Sequence, residues 1–227
     1  MITEEFEEAK AEYKRLFPSS PFFETWVPST KFLAADYDLN GNLSISREDT
    51  GIYGIAFGEK PLIPTSWKNF SLESIGANSL SSDCKVVAEW DSYWAPTVPG
   101  VFEESLQSSD LVIEEFLKEH APDSSVYPGN QEILQWIEIH ENAQLMAVAA
   151  LCRWQSGGVV ISSVATHRGY RGQGHGKALI KKCLIAGFLL GEDCLSLGVR
   201  HQNESAQRLY ASAGFTLMHN FTYCERR

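Results

Sequence analysis

One stretch constrains the fold of this chain more than any other: Arg168-Gly169-Tyr170-Arg171-Gly172-Gln173-Gly174-His175-Gly176-Lys177. Before it lies Val159–Thr166, β-branched at Val159, Val160, Ile161 and Val164, which reads as a strand. After it, Gly176 to Leu190 carries Leu179, Ile180, Cys183, Leu184, Gly187 and Phe188 at helical spacing, with Lys177, Lys181 and Lys182 on the wetter side. A strand, a glycine-rich turn and a helix therefore follow one another. Glycines at 172, 174 and 176 let the backbone turn tightly and approach a ligand closely. The helix behind them offers unpaired N–H groups and the positive end of its dipole, which suits phosphate or pyrophosphate.

Two common phosphate motifs fail here. A P-loop needs GxxxxGK[ST]; Gly176-Lys177 is present, but Arg171 stands at the upstream glycine and Ala178 replaces the hydroxyl residue that would hold Mg²⁺. A GxGxxG dinucleotide fingerprint starting at Gly172 needs glycine at 177, which is lysine.

Around this segment the second part of the chain has a clear rhythm. Leu111–His120 reads as a helix with Ser109 as N-cap. Ile133–His140, Leu145–Trp154, Val159–Thr166 and Cys194–Val199 read as strands. Ser205–Ala213 reads as a helix closed by Gly214, and Phe215–Phe221 as a last strand. The order β-β-β-α-β-α-β predicts an α/β (α+β) layered fold with a mixed sheet.

In the first part, a helix from Glu4 to Leu16 precedes strands and loops. Phe32–Asp38 and Asn42–Ser46 flank Asn40-Gly41, a hairpin signal. Asp36, Asp38, Asn40 and Gly41 also fit the start of a calcium loop, but Arg47 occupies its twelfth position, so a plain hairpin is the better reading. A Pro/Gly-rich stretch at residues 95–100 suggests a soft boundary. Residues 1–104 are then an N-terminal mixed α+β region, and residues 105–227 a second domain.

Within the second domain stands Arg171-x-x-Gly174-x-Gly176, followed by Asn203-x-x-Ala206-x-x-x-Tyr210-x-x-x-Gly214-Phe215. Together these resemble motifs A and B of the GNAT (Gcn5-related N-acetyltransferase) superfamily, over about residues 105–227. The resemblance implies an acyl-CoA-binding fold with a central, mostly antiparallel mixed sheet and a splayed parallel strand pair, Val159–Thr166 and Cys194–Val199. It implies an acetyl-CoA-dependent N-acyltransferase that moves an acetyl group to an amine by direct attack. Val164, Ala165 and Thr166 would offer backbone groups to the pantetheine arm. Arg171, Gly172, Gln173, Gly174, His175, Gly176 and Lys177 would wrap the pyrophosphate, with Arg171 either bonding through its side chain or bracing the loop. Asn203 would contact CoA and cap a helix, and Tyr210 would be the general acid. Residues 1–104 would be a degenerate half of the same kind or an unrelated cap.

One departure stands out. Many members carry a glutamate on the strand that here reads Val-Val-Ile-Ser-Ser-Val-Ala-Thr, which holds no carboxylate. The general base is not visible: Ser162 and Ser163 could position a water, and Glu138, His140, His167 and His201 are nearby groups, each of which reads first as structural or solvated. The alternative function is a non-catalytic acyl-CoA-binding sensor or scaffold. No metal is expected.

Composition bounds the partners. The 227 residues carry 19 basic and 29 acidic side chains, a net charge of −10. Residues 160–227 reverse this with 9 basic and 4 acidic, a local basic island that suits a small polyanion. An overall negative field disfavours nucleic acid as a partner. The acidic N-terminus and the lack of a long apolar run argue against a targeting peptide and a membrane span. Five dispersed cysteines without CxxC pairs read as reduced thiols in a cytoplasmic protein. The expected partners are acyl-CoA and an amine acceptor, small molecule or protein. Homodimers are common among GNAT proteins, and the sequence leaves that state open.

Overall fold

The computed structural model describes residues 1–102 and 106–227. The boundary expected at residues 104/105 lies outside the described residues. The chain forms two compact units: Met1–Ser92 with Gly198–Asn203 and Leu217–Arg227, and Tyr93–Leu197 with Glu204–Thr216. The strands are mixed parallel and antiparallel, as the α/β expectation requires.

In the first unit, β1 (Ile2–Thr3), β2 (Phe32–Tyr37), β3 (Leu43–Glu48) and β4 (Ile52–Phe57) pair antiparallel in that order. β5 (Asn69–Glu73) then runs parallel to β4, with Tyr53 opposite Asn69 and Ala56 opposite Leu72. Helix α1 (Phe6–Leu16) places Ala9 and Tyr13 on one stripe, and α2 (Phe22–Trp26) adds Phe22 and Phe23. They pack on Ala35, Leu43, Ile45, Ile55 and Phe57 to form an aromatic core. The sheet also carries a second cluster, Ala56, Trp67, Phe70, Leu72 and Cys224.

The Asn40-Gly41 hairpin forms as predicted, between β2 and β3. Asp38 organises it: its carboxylate accepts from the backbone N–H groups of Asn40 and Asn42 and from the Asn42 side chain. These bonds, chiefly with Asn42, hold its pKa below the usual carboxylate value. The carboxylate thus serves the turn.

Gly54 on β4 is a packing glycine. A Cβ there would lie 2.0 Å from the ring of Trp67, which is fully buried and donates Nε1–H to Ser46 Oγ at 2.8 Å. The indole cannot retreat without losing that bond. Gly54→Ala should therefore destabilise the protein by about 3 kcal/mol, the upper end for overpacking. For a chain of this length that lowers Tm by roughly 6–12 °C, measurable by thermal unfolding.

In the second unit, β7 (Ile133–Glu141), β8 (Gln144–Arg153) and β9 (Val159–Thr166) form an antiparallel meander. It follows β6 (Cys84–Pro96), a long strand that passes from the first unit into the second, and α3 (Asp110–His120). β8 is buried from Leu145 to Cys152, as a strand covered on both faces must be. Ile113, Phe116 and Leu117 of α3 pack on Leu145, Val148 and Ala165. Ser109 occupies the N-cap position of α3 but makes no side-chain cap bond. The buried Glu138 carboxylate accepts instead from Ser108 N–H, putting negative charge beside the helix start.

From β9 a glycine turn leads into α4 (His175–Leu189), and α4 leads into β10 (Cys194–Arg200), parallel to β9. The first unit repeats this strand logic, three antiparallel strands and then a parallel neighbour. Its parallel crossover, residues 58–68, contains no helix. Helix α5 (Glu204–Ser212) precedes β11 (Thr216–Arg226), which runs well past the predicted end at Phe221. The extra length comes from pairing: Phe221 through Glu225 lie antiparallel to Glu73 through Asn69 of β5. Among the described residues no helix is long and apolar enough to cross a membrane.

Candidate functional site

The parallel contact between β9 and β10 has Ser196 opposite Val160, near the start of β9. A bulge interrupts β9 further on. Its register against β8 shifts between Val148 and Ala150, and Ser163 takes φ 51°, a left-handed conformation rare outside glycine. The strain is held by a clasp. Ser163 Oγ donates to Val126 O at 2.7 Å and accepts from Val126 N–H at 3.0 Å, both buried. Ser162 is buried and hydrogen-bonds Cys152. Both hydroxyls offered in the sequence as water-positioning groups are therefore engaged within the protein. Beyond the bulge the end of β9 rejoins the ladder, with Ala165 opposite Val148 and Thr166 opposite Ala147. Ala165 packs in the core while Val164 and Thr166 are half-buried.

The three glycines of the turn have separate tasks. Gly172 (φ 84°) and Gly174 (φ 92°) adopt left-handed backbone, and nothing lies within 4 Å of where a Cβ would sit on either. They face open space. Gly176 is a contact glycine: its Cβ position lies 3.2 Å from Leu209 Cδ2 and 3.4 Å from Thr166 Oγ1. It lets α4 approach α5 and β9. Gly174 is the N-cap of α4 and has no side chain to cap it. The first-turn N–H groups of α4 thus meet an open face at the positive end of a 15-residue helix.

Charged groups surround this end. Arg168, Arg171, Gln173 and Lys177 are exposed. Arg171 donates Nη2–H to His120 O at 3.0 Å and leans on Thr166 O through Nε at 3.5 Å. It braces the loop against α3 and β9, one of the two roles expected for it. His167 Nδ1 accepts from Gly169 N–H at 3.1 Å, and its ring lies 4.3 Å from that of His120. Burial, then the neighbouring His167, lowers the pKa of His120. His175 sits with Nε2 3.6 Å from the Glu141 carboxylate, beyond a hydrogen bond.

Tyr210 lies on α5, 5% exposed, with its ring 6.3 Å from Tyr93 and 5.9 Å from Phe215. Burial, then the nearby Cys183, pushes its phenol far above the ordinary value near 10. The proton is held firmly. Phe215 is buried packing. Asn203 is exposed immediately ahead of α5, and its N–H donates to Arg200 O at 2.9 Å.

Of the groups offered as bases, Glu138 and His140 lie 3.4 Å apart and both bond Ser108. His167 is tied into the turn. His201, in the first unit, differs: its side chain is 52% exposed while Nδ1 lies 3.0 Å from Asp91, whose side chain is 2% exposed. A carboxylate behind an exposed imidazole is the arrangement that orients a base. Asn220 Nδ2 secures the same carboxylate at 2.7 Å. Asp91 was invisible in the sequence because 110 residues separate it from His201. Among the described residues no group of three or more metal-ligating side chains occurs.

The acetyltransferase (GNAT) family profile matches residues 89–215. Comparison with curated proteins gave no match. Among solved structures the chain resembles a GCN5-related N-acetyltransferase from Sphaerobacter thermophilus, at 12% identity over 100% of this chain and 95% of that one, TM-score 0.59. It also resembles a GNAT-family acetyltransferase from Colwellia psychrerythraea, at 14% identity over 100% and 99%, TM-score 0.55. A GCN5-related N-acetyltransferase from Kribbella flavida aligns at 14% identity over 97% and 95%, TM-score 0.54. These likenesses establish the fold, and the profile covers more than half of the chain: the protein belongs to the GNAT family of acetyltransferases.

Proposed function

We propose that the protein is an acetyl-CoA-dependent N-acyltransferase, with the transfer carried by residues 105–227. The observation that carries this reading is the open, uncapped start of α4 behind Gly172 and Gly174. That surface fits a diphosphate: several N–H donors, a helix dipole, and Arg168 and Lys177 nearby. Residues Arg171 to Lys177 hold the pyrophosphate of CoA mainly through backbone N–H, with Arg171 bracing. Val164, Ala165 and Thr166 offer backbone groups to the pantetheine amides, and Asn203 adds a polar contact ahead of α5. Acetyl-CoA supplies the activated acyl group.

Tyr210 holds a proton on its phenol oxygen and gives it to the departing thiolate. A free thiol has pKa about 8.5 and a phenol about 10, so the transfer is uphill by roughly 2 kcal/mol between free groups; burial of the phenol adds to this cost, and desolvation of the departing thiolate in the same site offsets it. The acceptor ammonium loses its proton to water before the free amine attacks the thioester. Nothing in β9 supplies a carboxylate for that task.

The pH profile follows from these roles. A phenol raised above its ordinary pKa stays protonated through neutral and mildly alkaline pH. Turnover should therefore climb as the acceptor ammonium, pKa about 10.4 for a lysine-like amine, loses its proton, with no falling limb below about pH 10. Initial rates from pH 6 to about pH 10 check this; a falling limb near pH 8 would remove Tyr210 from the acid role.

The decisive test is acetyl-CoA titration by calorimetry, followed by thiol release with a panel of small amines and lysine peptides. Saturable binding with amine-dependent release is expected. Binding without release would favour a non-catalytic acyl-CoA sensor, a reading supported by the carboxylate-free β9 and its engaged serines. No binding by a folded sample would overturn both.

A further inference from the structure

The first unit contains a cavity of about 190 Å³. Its walls are Phe22, Trp26, Arg47, Tyr53, Ile55 and Trp90. The Trp26 and Trp90 rings lie 5.5 Å apart and tilted, and Phe22 stacks within 6.5 Å of each. Two of the polar tips are committed elsewhere: Tyr53 OH lies 2.6 Å from Ser71 Oγ, and Trp90 Nε1–H donates to the same oxygen at 3.0 Å.

Arg47 is different. Its guanidinium lies 4.7 Å from the Tyr53 ring centroid, and Nη1 donates to Trp26 O at 3.0 Å. Its Nε is buried and has no hydrogen-bond partner. Among the described residues Arg47 has no ion-pair partner. A buried charged donor left unsatisfied is costly, and a planar fork of N–H groups matches a carboxylate. An aromatic box by itself would suit a quaternary ammonium, but a guanidinium in its wall repels cations. The volume sets the size: a dry cavity of about 150 Å³ accommodates benzene, so this one holds a single ring with a small acidic substituent.

We infer that this cavity binds a small monocarboxylate with a flat apolar body, its carboxylate on Arg47 and its ring against the wall formed by Phe22, Trp26 and Trp90. Two indoles in the wall make tryptophan fluorescence a direct reporter. Binding is read without acetyl-CoA, so the outcome does not depend on acyl transfer.

The full chain is titrated with phenylacetate, with acetate, benzyl alcohol and benzylamine as comparisons, by fluorescence and calorimetry. Phenylacetate should bind saturably, and each comparison should bind at least about tenfold more weakly, since each lacks the ring or the carboxylate. Arg47→Met, which keeps the stem, should weaken phenylacetate at least about tenfold. If Arg47→Met does not fold, Arg47→Lys serves, since it keeps the charge and loses the fork; a loss of about threefold or more is expected. Absence of saturable binding up to about 10 mM, equal binding of benzylamine, or unchanged affinity in the folded arginine variants would each overturn the inference.

Discussion

Tyr210→Phe is expected to lower turnover about 100-fold while acetyl-CoA affinity changes less than about threefold. The variant removes one oxygen from a ring that is 5% exposed and packed beside Tyr93 and Phe215. Phenylalanine fills the same space, so the position of α5 and the folded state should be preserved. What is lost is the proton donor. Without it the thiolate must leave unassisted or take a proton from water, and general acid catalysis of this kind contributes typically 10² or more. A loss confined to kcat fits a role made in the transition state; a rise in KM alone would show that Tyr210 serves binding. Unchanged turnover would mean that the buried phenol is core.

The second large effect concerns the glycine turn. Gly174→Val should weaken acetyl-CoA binding at least about tenfold. At φ 92° a β-branched residue is strongly disfavoured, and its side chain would project into the open face where the pyrophosphate is proposed to lie. Strain and obstruction are separable with a second variant. Gly157, in the turn between β8 and β9, has φ 94° and also nothing within 4 Å of its Cβ position. It stands before β9, whereas Gly174 follows it, so about 25 Å of strand separates the two turns. Gly157→Val should therefore lower Tm comparably while leaving affinity unchanged. If Gly174→Val binds acetyl-CoA like the parent in a folded protein, the loop does not hold the diphosphate.

The site was legible where its signals are local. Val159–Thr166 appears with the predicted bounds, and the helices around the Arg171–Gly176 loop and Tyr210 differ from expectation by one residue at their ends. Glycine at 172 and 174 announces positive φ, and the structure has it there. The hairpin at Asn40-Gly41 was readable for the same reason. The bulge at Ser163 was not. A serine with φ 51° has no sequence signature, and its stabilising partner, Val126, stands 37 residues away. Ser162 and Ser163 looked available because a sequence does not display hydrogen-bond partners. The length of β11 was misjudged because it is set by β5, about 150 residues earlier, and not by its own pattern.

Local chemistry thus specified the strand–glycine turn–helix unit, and the resemblance of its motifs pointed to the family. Backbone conformation at glycine and helical periodicity are properties of neighbours within a few residues. Tertiary structure decided the rest. It placed Arg171 on the carbonyl of His120 as a brace, Asp91 behind His201, and Arg47 among Phe22, Trp26, Tyr53 and Trp90. Each of these depends on partners brought together across tens of residues, which local sequence does not display.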